Sequence, residues 1–329
     1  MSRKRMAGCR RLPVLMALIL ARSVAAETVW PEPPEHPRIR FVRSITPAEA
    51  GGKPSFLSKL WGLISGEKKQ YVMTQPYGVC LGPGGRLFVA DTFGRCLHVY
   101  DLPKNAYSNM RIDGDSLIGV AAGSDRLYVT DSARRRLVCL NPKGRELWTI
   151  GAEAGFRRPT GLAVVGDQLR VVDTLANKIV SVTRDGKIVG QFGAHGKGPG
   201  EFNFPTNIAT GPGGRLYVCD SMNFRVQIFD AQNRYISSFG KLGDSSGDFN
   251  RPKGIAVDSD GNIYVVEGLH DVVQIFDESG RLLLFFGGSG SGEGDLWLPT
   301  GIAIQDDRIC VADSANRRIQ VYEYLKESR

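Results

Sequence analysis

Short apolar runs, separated by turns rich in Gly, Pro, Asp and Asn, follow one another along most of this chain. Six of these runs end in an acidic residue, as in LFVAD, LYVTD, LRVVD, LYVCD, IYVVE and ICVAD. The acids recur after 40, 42, 47, 47 and 46 residues and are Asp91, Asp131, Asp173, Asp220, Glu267 and Asp313. A period of this length is typical of repeat architectures, in which one copy cannot bury its apolar face alone. The pattern therefore predicts six copies of one structural unit.

Each copy is expected to form four short strands. A proline opens five of the six copies and begins a short apolar strand, such as GLAV or GIAV, which a tight turn ends. The strand that ends in the acid follows, and a polar turn joins it to a third strand such as RVQIFD and a fourth such as RYISSFG. Four antiparallel strands in a repeat of this size make one propeller blade. We therefore predict an all-β fold, a six-bladed β-propeller of four-stranded antiparallel blades, over residues 71–329.

The ring of blades is predicted to close with a strand from the N-terminal part of the chain. The sixth copy stops soon after its third strand, and residues 38–46 carry a strand-like apolar pattern in Ile39, Phe41 and Ile45. Without such a strand, two sheet edges would stay open. We predict that residues 38–46 pair with the last blade, close the ring and contribute much of its stability.

The copies resemble the NHL repeat, whose pattern is P-x-G-(I/L)-A followed by (I/L)-Y-V-x-D-S-x-N-x-R-(I/V)-x-x-F. Gly301-Ile302-Ala303 with ADSANRRIQVY from Ala312 is the nearest match, and CDSMNFRVQIFD from Cys219 is similar. The resemblance runs roughly from Pro76 to Tyr322 and implies the propeller fold. It leaves the function open, because this family includes protein-binding, RNA-binding and a few catalytic members.

Residues 1–26 have the pattern of a secretory signal peptide. A basic head precedes an apolar run of ten residues from Leu12 to Ala21, and small residues follow up to Ala26. Cleavage near Ala26 would place the protein outside the cell or in the periplasm; a short uncleaved anchor is the alternative. The formal charge would fall from +8 to +2, because six of the 42 basic residues and none of the 34 acidic ones lie in this segment (36 − 34 = 2). A nearly neutral exported domain disfavours a nucleic-acid partner.

Two further segments precede the repeat. Residues 27–37 are proline-dense and are predicted to form a stiff tether. Residues 47–70 form an insertion in which Phe56, Leu60, Trp61 and Ile64 are spaced as on one face of a short amphipathic helix. Such a helix packs on the propeller or, alternatively, makes peripheral contact with a membrane or a partner through its apolar face.

The acids at the strand ends have a local interpretation. Four of them are followed five positions later by a basic residue, and a short hairpin would bring such a pair together. The fifth copy departs from this rule with Glu267 and Val272, and Asn207 replaces a glycine of the sister copies. Glu267 and Asn207 are therefore the candidate ligands of a Ca or Zn ion in the central channel. A metal-dependent hydrolase or lyase acting there is the alternative function.

Three long loops with repeated glycines lead into the last three copies and are expected to lie on one side of the ring. Variable loops on a rigid scaffold usually carry recognition. The alternative for the apolar residue near the end of each loop is a plug between neighbouring sheets. No catalytic nucleophile motif or phosphate-binding motif is present, and five cysteines follow residue 26 without a deducible pairing. We therefore predict a non-catalytic binding scaffold for a protein, peptide or extended ligand. Its predicted contact residues are Phe202, Phe204, Phe249, Arg251, Lys253 and Trp297.

Overall fold

The computed structural model describes residues 27–47 and 72–326, which form a six-bladed β-propeller. The signal peptide predicted at 1–26 and the amphipathic helix predicted around Phe56, Leu60, Trp61 and Ile64 lie outside the described residues. Within the part that is described, no helix is long and apolar enough to cross a membrane.

The strands run in chain order from one blade to the next. Two N-terminal strands are β1 (Val29–Trp30) and β2 (Ile39–Ile45). Blade 1 has β3 (Pro76–Gly82), β4 (Arg86–Asp91), β5 (Cys96–Asp101) and β6 (Ala106–Arg111); blade 2 has β7 (Leu117–Ala122), β8 (Leu127–Asp131), β9 (Arg136–Leu140) and β10 (Glu146–Ile150). Blade 3 has β11 (Pro159–Val165), β12 (Gln168–Asp173), β13 (Lys178–Thr183) and β14 (Ile188–Phe192); blade 4 has β15 (Pro205–Thr210), β16 (Leu216–Asp220), β17 (Arg225–Phe229) and β18 (Tyr235–Phe239). Blade 5 has β19 (Pro252–Val257), β20 (Ile263–Glu267), β21 (Val272–Phe276) and β22 (Leu282–Gly287), and blade 6 has β23 (Ile302–Gln305), β24 (Arg308–Asp313) and β25 (Arg318–Tyr324).

Within each blade the first strand lines the central channel and the fourth strand lies at the rim. The second and third strands are almost entirely buried, as in β16 and β17. The apolar core lies between neighbouring blades, so that one cluster joins Tyr217 of blade 4 to Ile255 and Phe276 of blade 5. This arrangement explains why the middle strands of every copy read as continuous apolar runs: both of their faces are covered by a neighbouring blade.

The last blade takes its outer strand from the N-terminal part of the chain. Strand β2 pairs antiparallel with β25, with Phe41 opposite Tyr322, and β1 pairs with β2. Trp30 packs its ring against Tyr322 at 5.7 Å between centroids and against Phe286 of blade 5 at 6.0 Å. The pairing has the partners expected from the sequence, and the stability that it contributes to the ring is a prediction.

Glycines in the innermost strands allow the blades to meet around the channel. Each of Gly78, Gly119, Gly161, Gly254 and Gly301 lies so near the next blade that an added Cβ would come under 3.0 Å from its atoms, and for four of them the nearest atom is a backbone oxygen. Real Cβ atoms do not approach so closely, and only glycine fits without displacing the neighbouring strand. In blade 4 this position is taken by Asn207, whose Cα and amide lie against Gly161.

The acid at the end of each second strand holds the segment that leads into the first strand of the same blade. Asp173 accepts the backbone N–H groups of Arg157 and Arg158 at 2.8 Å each. The Nε of Arg225 donates to Asp220 at 2.8 Å, which is the local pair expected from the five-residue spacing. These acids therefore serve the repeat itself. Their burial is tolerated because the carboxylate oxygens accept several hydrogen bonds.

Candidate functional site

One end of the propeller presents both the turns after the second strands and the segments that enter the first strands. The strands of a blade are antiparallel, so the end of the second strand lies beside the start of the first. We call this end the channel-mouth face. Its turns are 92–95, 132–135, 174–177, 221–224, 268–271 and 314–317, and its entry segments include 203–204, 250–251 and 297–298.

Large apolar side chains are exposed on the channel-mouth face. Trp297 is 54% exposed and Phe93 is 69% exposed, although neighbouring positions in the same repeat are buried. Single exposed apolar residues are common on protein surfaces, but a concentration at one end of a molecule is typical of an interaction site. The exposed apolar residues of these turns and of the three entry segments are Phe93, Leu175, Phe204, Met222, Leu269, Trp297 and Leu298.

Two of these residues are held in a backbone conformation that bulky side chains rarely adopt. Phe204 has a φ of 50° and Leu298 a φ of 48°, in the left-handed region. The backbone N–H of Phe204 donates to Asn177 Oδ1 at 2.8 Å, and that of Leu298 donates to Asp271 Oδ1 at 2.7 Å. The neighbouring blade therefore supplies the acceptor that holds each strained residue with its side chain in solvent. Strain of this kind persists only where the surrounding structure enforces it.

The structure divides the predicted contact residues into two groups. Phe204, Arg251 and Trp297 are exposed on the channel-mouth face, and Lys253 is half-buried at the channel entrance. Phe202 and Phe249 have no exposed surface, so their prediction as contact residues is wrong. Phe202 packs against Phe229 at 5.8 Å and Phe249 against Phe276 at 5.4 Å between ring centroids. The physical reason is that each blade junction needs an apolar plug, which is the alternative that the sequence offered.

The innermost strands enclose a channel with a cavity volume of about 250 Å³. In five copies the residue that follows the opening residue lines this channel, namely Tyr77, Ile118, Thr206, Lys253 and Thr300. The threonine hydroxyls bind the neighbouring blade rather than the channel: Thr206 donates to the Lys253 carbonyl at 3.0 Å, and Thr300 to the Tyr77 carbonyl at 3.1 Å. The polar groups of the entrance that are left to meet a ligand are therefore those of Tyr77 and Lys253.

Positive charge converges on this entrance from blades 3 and 5. Burial, together with the nearby charge of Arg251, lowers the pKa of Lys253 from its usual 10.5 to about 8, against the opposing effect of Glu267 and Asp271. Burial raises the pKa of Tyr77, while the charges of Arg158 and Arg251 act in the opposite direction. Both arginines thus act on the same phenol from different blades. We call Tyr77, Arg158, Arg251 and Lys253 the mouth cluster.

Gly268 leaves room for the long side chain of Lys253. A Cβ at Gly268 would lie 2.7 Å from Cε and 3.0 Å from Nζ of Lys253. Sequence reasoning identified Arg251 and Lys253 as contact residues, but not Tyr77 or Arg158. The signal was present, because Tyr77 and Lys253 occupy the same position of the repeat, which holds threonine in three other copies.

The residues predicted as metal ligands are engaged with the backbone. Glu267 accepts the N–H groups of Asn250 at 2.9 Å and Arg251 at 2.6 Å, and its contact with the N–H of Leu269 is 3.2 Å. Asn207 lines the channel, and its Oδ1 accepts the N–H of Ile208 at 2.9 Å. Across residues 27–47 and 72–326 there is no group of three or more His, Cys, Asp or Glu side chains that could hold a metal ion. The five cysteines in these ranges are free thiols.

Family models of known repeats match three segments of the chain. The model of the NHL repeat matches residues 202–229 and 296–322, and that of a β-propeller repeat matches residues 242–266. The protein therefore contains segments that match the NHL repeat, within a six-bladed β-propeller.

Solved structures of several different activities share this fold. A catalytically inactive virginiamycin B lyase from Staphylococcus aureus, solved with quinupristin, has a TM-score of 0.60 at 16% identity and covers 78% of this chain and 97% of its own. A gluconolactonase from Xanthomonas campestris has a TM-score of 0.61 at 17% identity, with 77% and 87% covered. A calcium-binding regucalcin from Agrobacterium tumefaciens has a TM-score of 0.59 at 17% identity, with 77% and 90% covered. At these identities the likeness shows the fold alone.

Proposed function

We propose that this protein is an exported, non-catalytic binding scaffold that recognises a protein, peptide or extended ligand through its channel-mouth face. The observation that carries the proposal is the concentration of exposed apolar side chains on this face, where Phe204 and Leu298 occupy the repeat position that Arg158 and Arg251 hold in other blades. Apolar and aromatic anchors combined with arginine are the composition typical of binding hot spots.

The geometry of the face supports recognition because its loops are held rigidly. The exposed Phe204 and Leu298 are fixed by hydrogen bonds that their N–H groups donate to the neighbouring blade, and the entry segment at Arg251 is fixed by Glu267. A surface that is already in its binding conformation loses little side-chain and loop entropy on association. Rigid anchors around a central opening suit an extended segment that crosses the face and places one group in the channel entrance.

The alternative function, a metal-dependent hydrolase or lyase centred on Glu267 and Asn207, has weaker support. Glu267 would have to give up hydrogen bonds to the backbone N–H groups of Asn250 and Arg251 in order to bind a metal ion. Stoichiometric Ca or Zn in the purified protein, lost in Glu267→Gln, would favour this alternative. A purified protein in which that substitution changes no metal content leaves the binding scaffold as the better explanation.

The proposal is tested by comparing two surface variants. A face variant carries Phe204→Ser and Trp297→Ser, and a rim variant carries Ile188→Ser and Val189→Ser at exposed positions of the outer strand β14. We expect a partner that binds the wild type and the rim variant but not the face variant, first in capture from the exporting cell and then with both components purified. Equal binding of that partner by the face variant would exclude this face.

Export is a separate part of the proposal and has its own measurement. The protein expressed with residues 1–26 should be recovered outside the cytoplasm with Glu27 as its first residue. N-terminal sequencing of the recovered protein tests this directly. Recovery of the intact chain in the cytoplasm would contradict export.

A further inference from the structure

Among the residues that the structure describes, the side chains of Arg158, Arg251 and Lys253 form no ion pair with an acid. Arg158 and Arg251 use their backbone N–H groups to bind the strand-end acids, and both side chains are exposed. Within the two ranges of chain that the structure describes, the ammonium of Lys253 makes neither a hydrogen bond nor an ion pair. A half-buried cation without a partner is unfavourable, and such groups are typical of binding sites.

The acids nearest to Lys253 are engaged elsewhere. Glu267 accepts the N–H groups of Asn250 and Arg251. Asp271 accepts the hydroxyl of Ser289 at 2.7 Å and the N–H of Leu298 at 2.7 Å. These carboxylates act on Lys253 through the electric field but leave its hydrogen-bond donors free. The free donors of Lys253 and the exposed guanidinium groups of Arg158 and Arg251 suit a negatively charged ligand group.

We propose that the mouth cluster binds one carboxylate of an acidic peptide segment, and that apolar side chains beside this carboxylate pack on Phe204 and Trp297. This inference rests on the proposed function and names the chemistry that the face recognises. Arginine and lysine bind carboxylates through charge-assisted hydrogen bonds, and the phenol of Tyr77 supplies a further donor. The glycine-lined inner strands keep the cavity small, so a single side chain or chain end enters the channel while the rest of the peptide stays on the face.

Binding is expected to depend on pH through Lys253. The charged or titratable groups that act on its ammonium are Arg251, Glu267 and Asp271, and Arg158 and Tyr77 complete the entrance. Burial raises the pKa of Tyr77, so the phenol keeps its proton where Lys253 titrates. Because a carboxylate binds the protonated lysine, affinity should be highest below pH 8 and should fall as the pH rises above that value.

Isothermal titration calorimetry with three synthetic hexapeptides tests the proposal on protein comprising residues 27–329. The first alternates leucine and glutamate and has an amidated C-terminus. The second alternates leucine and glutamine and has a free C-terminal carboxylate. The third alternates leucine and glutamine and is amidated, so it carries no carboxylate. We expect binding of the first if an acidic side chain enters the mouth, of the second if a chain end does, and much weaker binding of the third.

Variants of the mouth cluster separate this inference from the proposed function. Lys253→Met and Arg251→Gln should each lower the affinity for the carboxylate peptide at least about tenfold, as expected for the loss of a charge-assisted hydrogen bond. Lys253→Arg should retain binding, and Lys187→Met, at an exposed lysine of the rim, should leave it unchanged. The carboxylate peptide should also protect Lys253 from acetic anhydride at pH 8, measured by mass spectrometry. The labelling experiment uses the wild-type protein, so its result does not depend on whether any variant folds.

Several outcomes would overturn the inference. Equal affinity for all three peptides would remove the role of the carboxylate, and no binding of any peptide at about 1 mM, together with unchanged labelling of Lys253, would remove the acidic peptide as ligand. If the wild type binds inorganic phosphate but none of the peptides, and Lys253→Met does not bind phosphate, the cluster binds a different anion. If Lys253→Met leaves partner binding intact while Phe204→Ser with Trp297→Ser abolishes it, the inference fails and the proposed function stands.

Discussion

Replacing Lys253 by methionine is expected to stabilise the folded protein at neutral pH. Its ammonium is half-buried at the channel entrance, and its pKa falls from 10.5 to about 8 because burial and Arg251 disfavour the charge. In the unfolded chain Lys253 has the ordinary pKa of a lysine and binds its proton more tightly than in the folded protein. Between pH 8 and about 10.5 the unfolded state therefore holds more protons than the folded state, and this group makes the free energy of unfolding rise with pH.

The size of the effect follows from the two pKa values. One pKa unit is worth about 1.36 kcal/mol, so a fall from 10.5 to about 8 costs the folded state about 3 kcal/mol wherever both states would be protonated. As Lys253 loses its proton between pH 7 and pH 10, about 2 kcal/mol of this cost to the folded state disappears. Solvent at the channel entrance screens part of the charge, and we therefore expect Lys253→Met to stabilise by about 1–2 kcal/mol at pH 7. The gain should be much smaller at pH 10.

Urea unfolding of the wild type and Lys253→Met at pH 7, 8, 9 and 10 measures this directly. The quantity of interest is the difference in the free energy of unfolding between the two proteins at each pH, in which the titration of all other groups largely cancels. Lys187→Met, at an exposed position, serves as the matched control and should give a difference that does not change with pH. Coincident transitions by two probes establish that a two-state free energy applies.

A difference that stays constant from pH 7 to pH 10 would refute the reasoning, because a lysine without a lowered pKa produces no such slope. Destabilisation by Lys253→Met at pH 7 would refute it as well, since it would mean that the ammonium has a favourable partner in the folded protein. The expected result instead describes a residue that costs stability, as residues retained for binding commonly do.

Three substitutions test the fold. Ile39→Ala removes a fully buried side chain of β2 and should lower the free energy of unfolding, measured in urea, by about 2–5 kcal/mol. Val42→Ala, at an exposed position of the same strand, should lower it by less than about 0.5 kcal/mol, and similar effects of the two substitutions would argue against ring closure by β2. Asp220→Ala leaves several buried donors unpaired and should cost about 3–5 kcal/mol by the same assay, and a loss under about 1 kcal/mol would contradict its structural role. Gly301→Ala forces a methyl group against blade 1 and should lower the thermal midpoint through a cost of about 1–3 kcal/mol, while Gly288→Ala, which has open space, should not; an unchanged midpoint for both would refute the steric explanation.

The repeat, the strand order and the role of the strand-end acids were predictable because each copy encodes them locally. The spacing between Asp220 and Arg225 specifies a turn that brings the two side chains together, and the same spacing pairs Asp131 with Arg136 and Asp313 with Arg318. In blade 3 the expected pair does not form, because Lys178 donates to Gln191 of the neighbouring strand. The apolar residues before each first strand were also visible, but the sequence did not show which of their side chains face the core and which face solvent. Phe202 and Phe204 are two residues apart in one loop, and only the junction between two blades decides that Phe202 fills the core while Phe204 faces solvent.

The mouth cluster was the part of the site that sequence reasoning assembled only in part. Tyr77, Arg158 and Lys253 belong to three different blades and share no local motif. The sequence by itself determined the number of blades and the order of strands within each, since neighbouring strands impose the same constraints on every copy. The closed ring decided which side chains meet at its centre. Their distances around the axis depend on how all six blades pack together, and no single repeat specifies that packing.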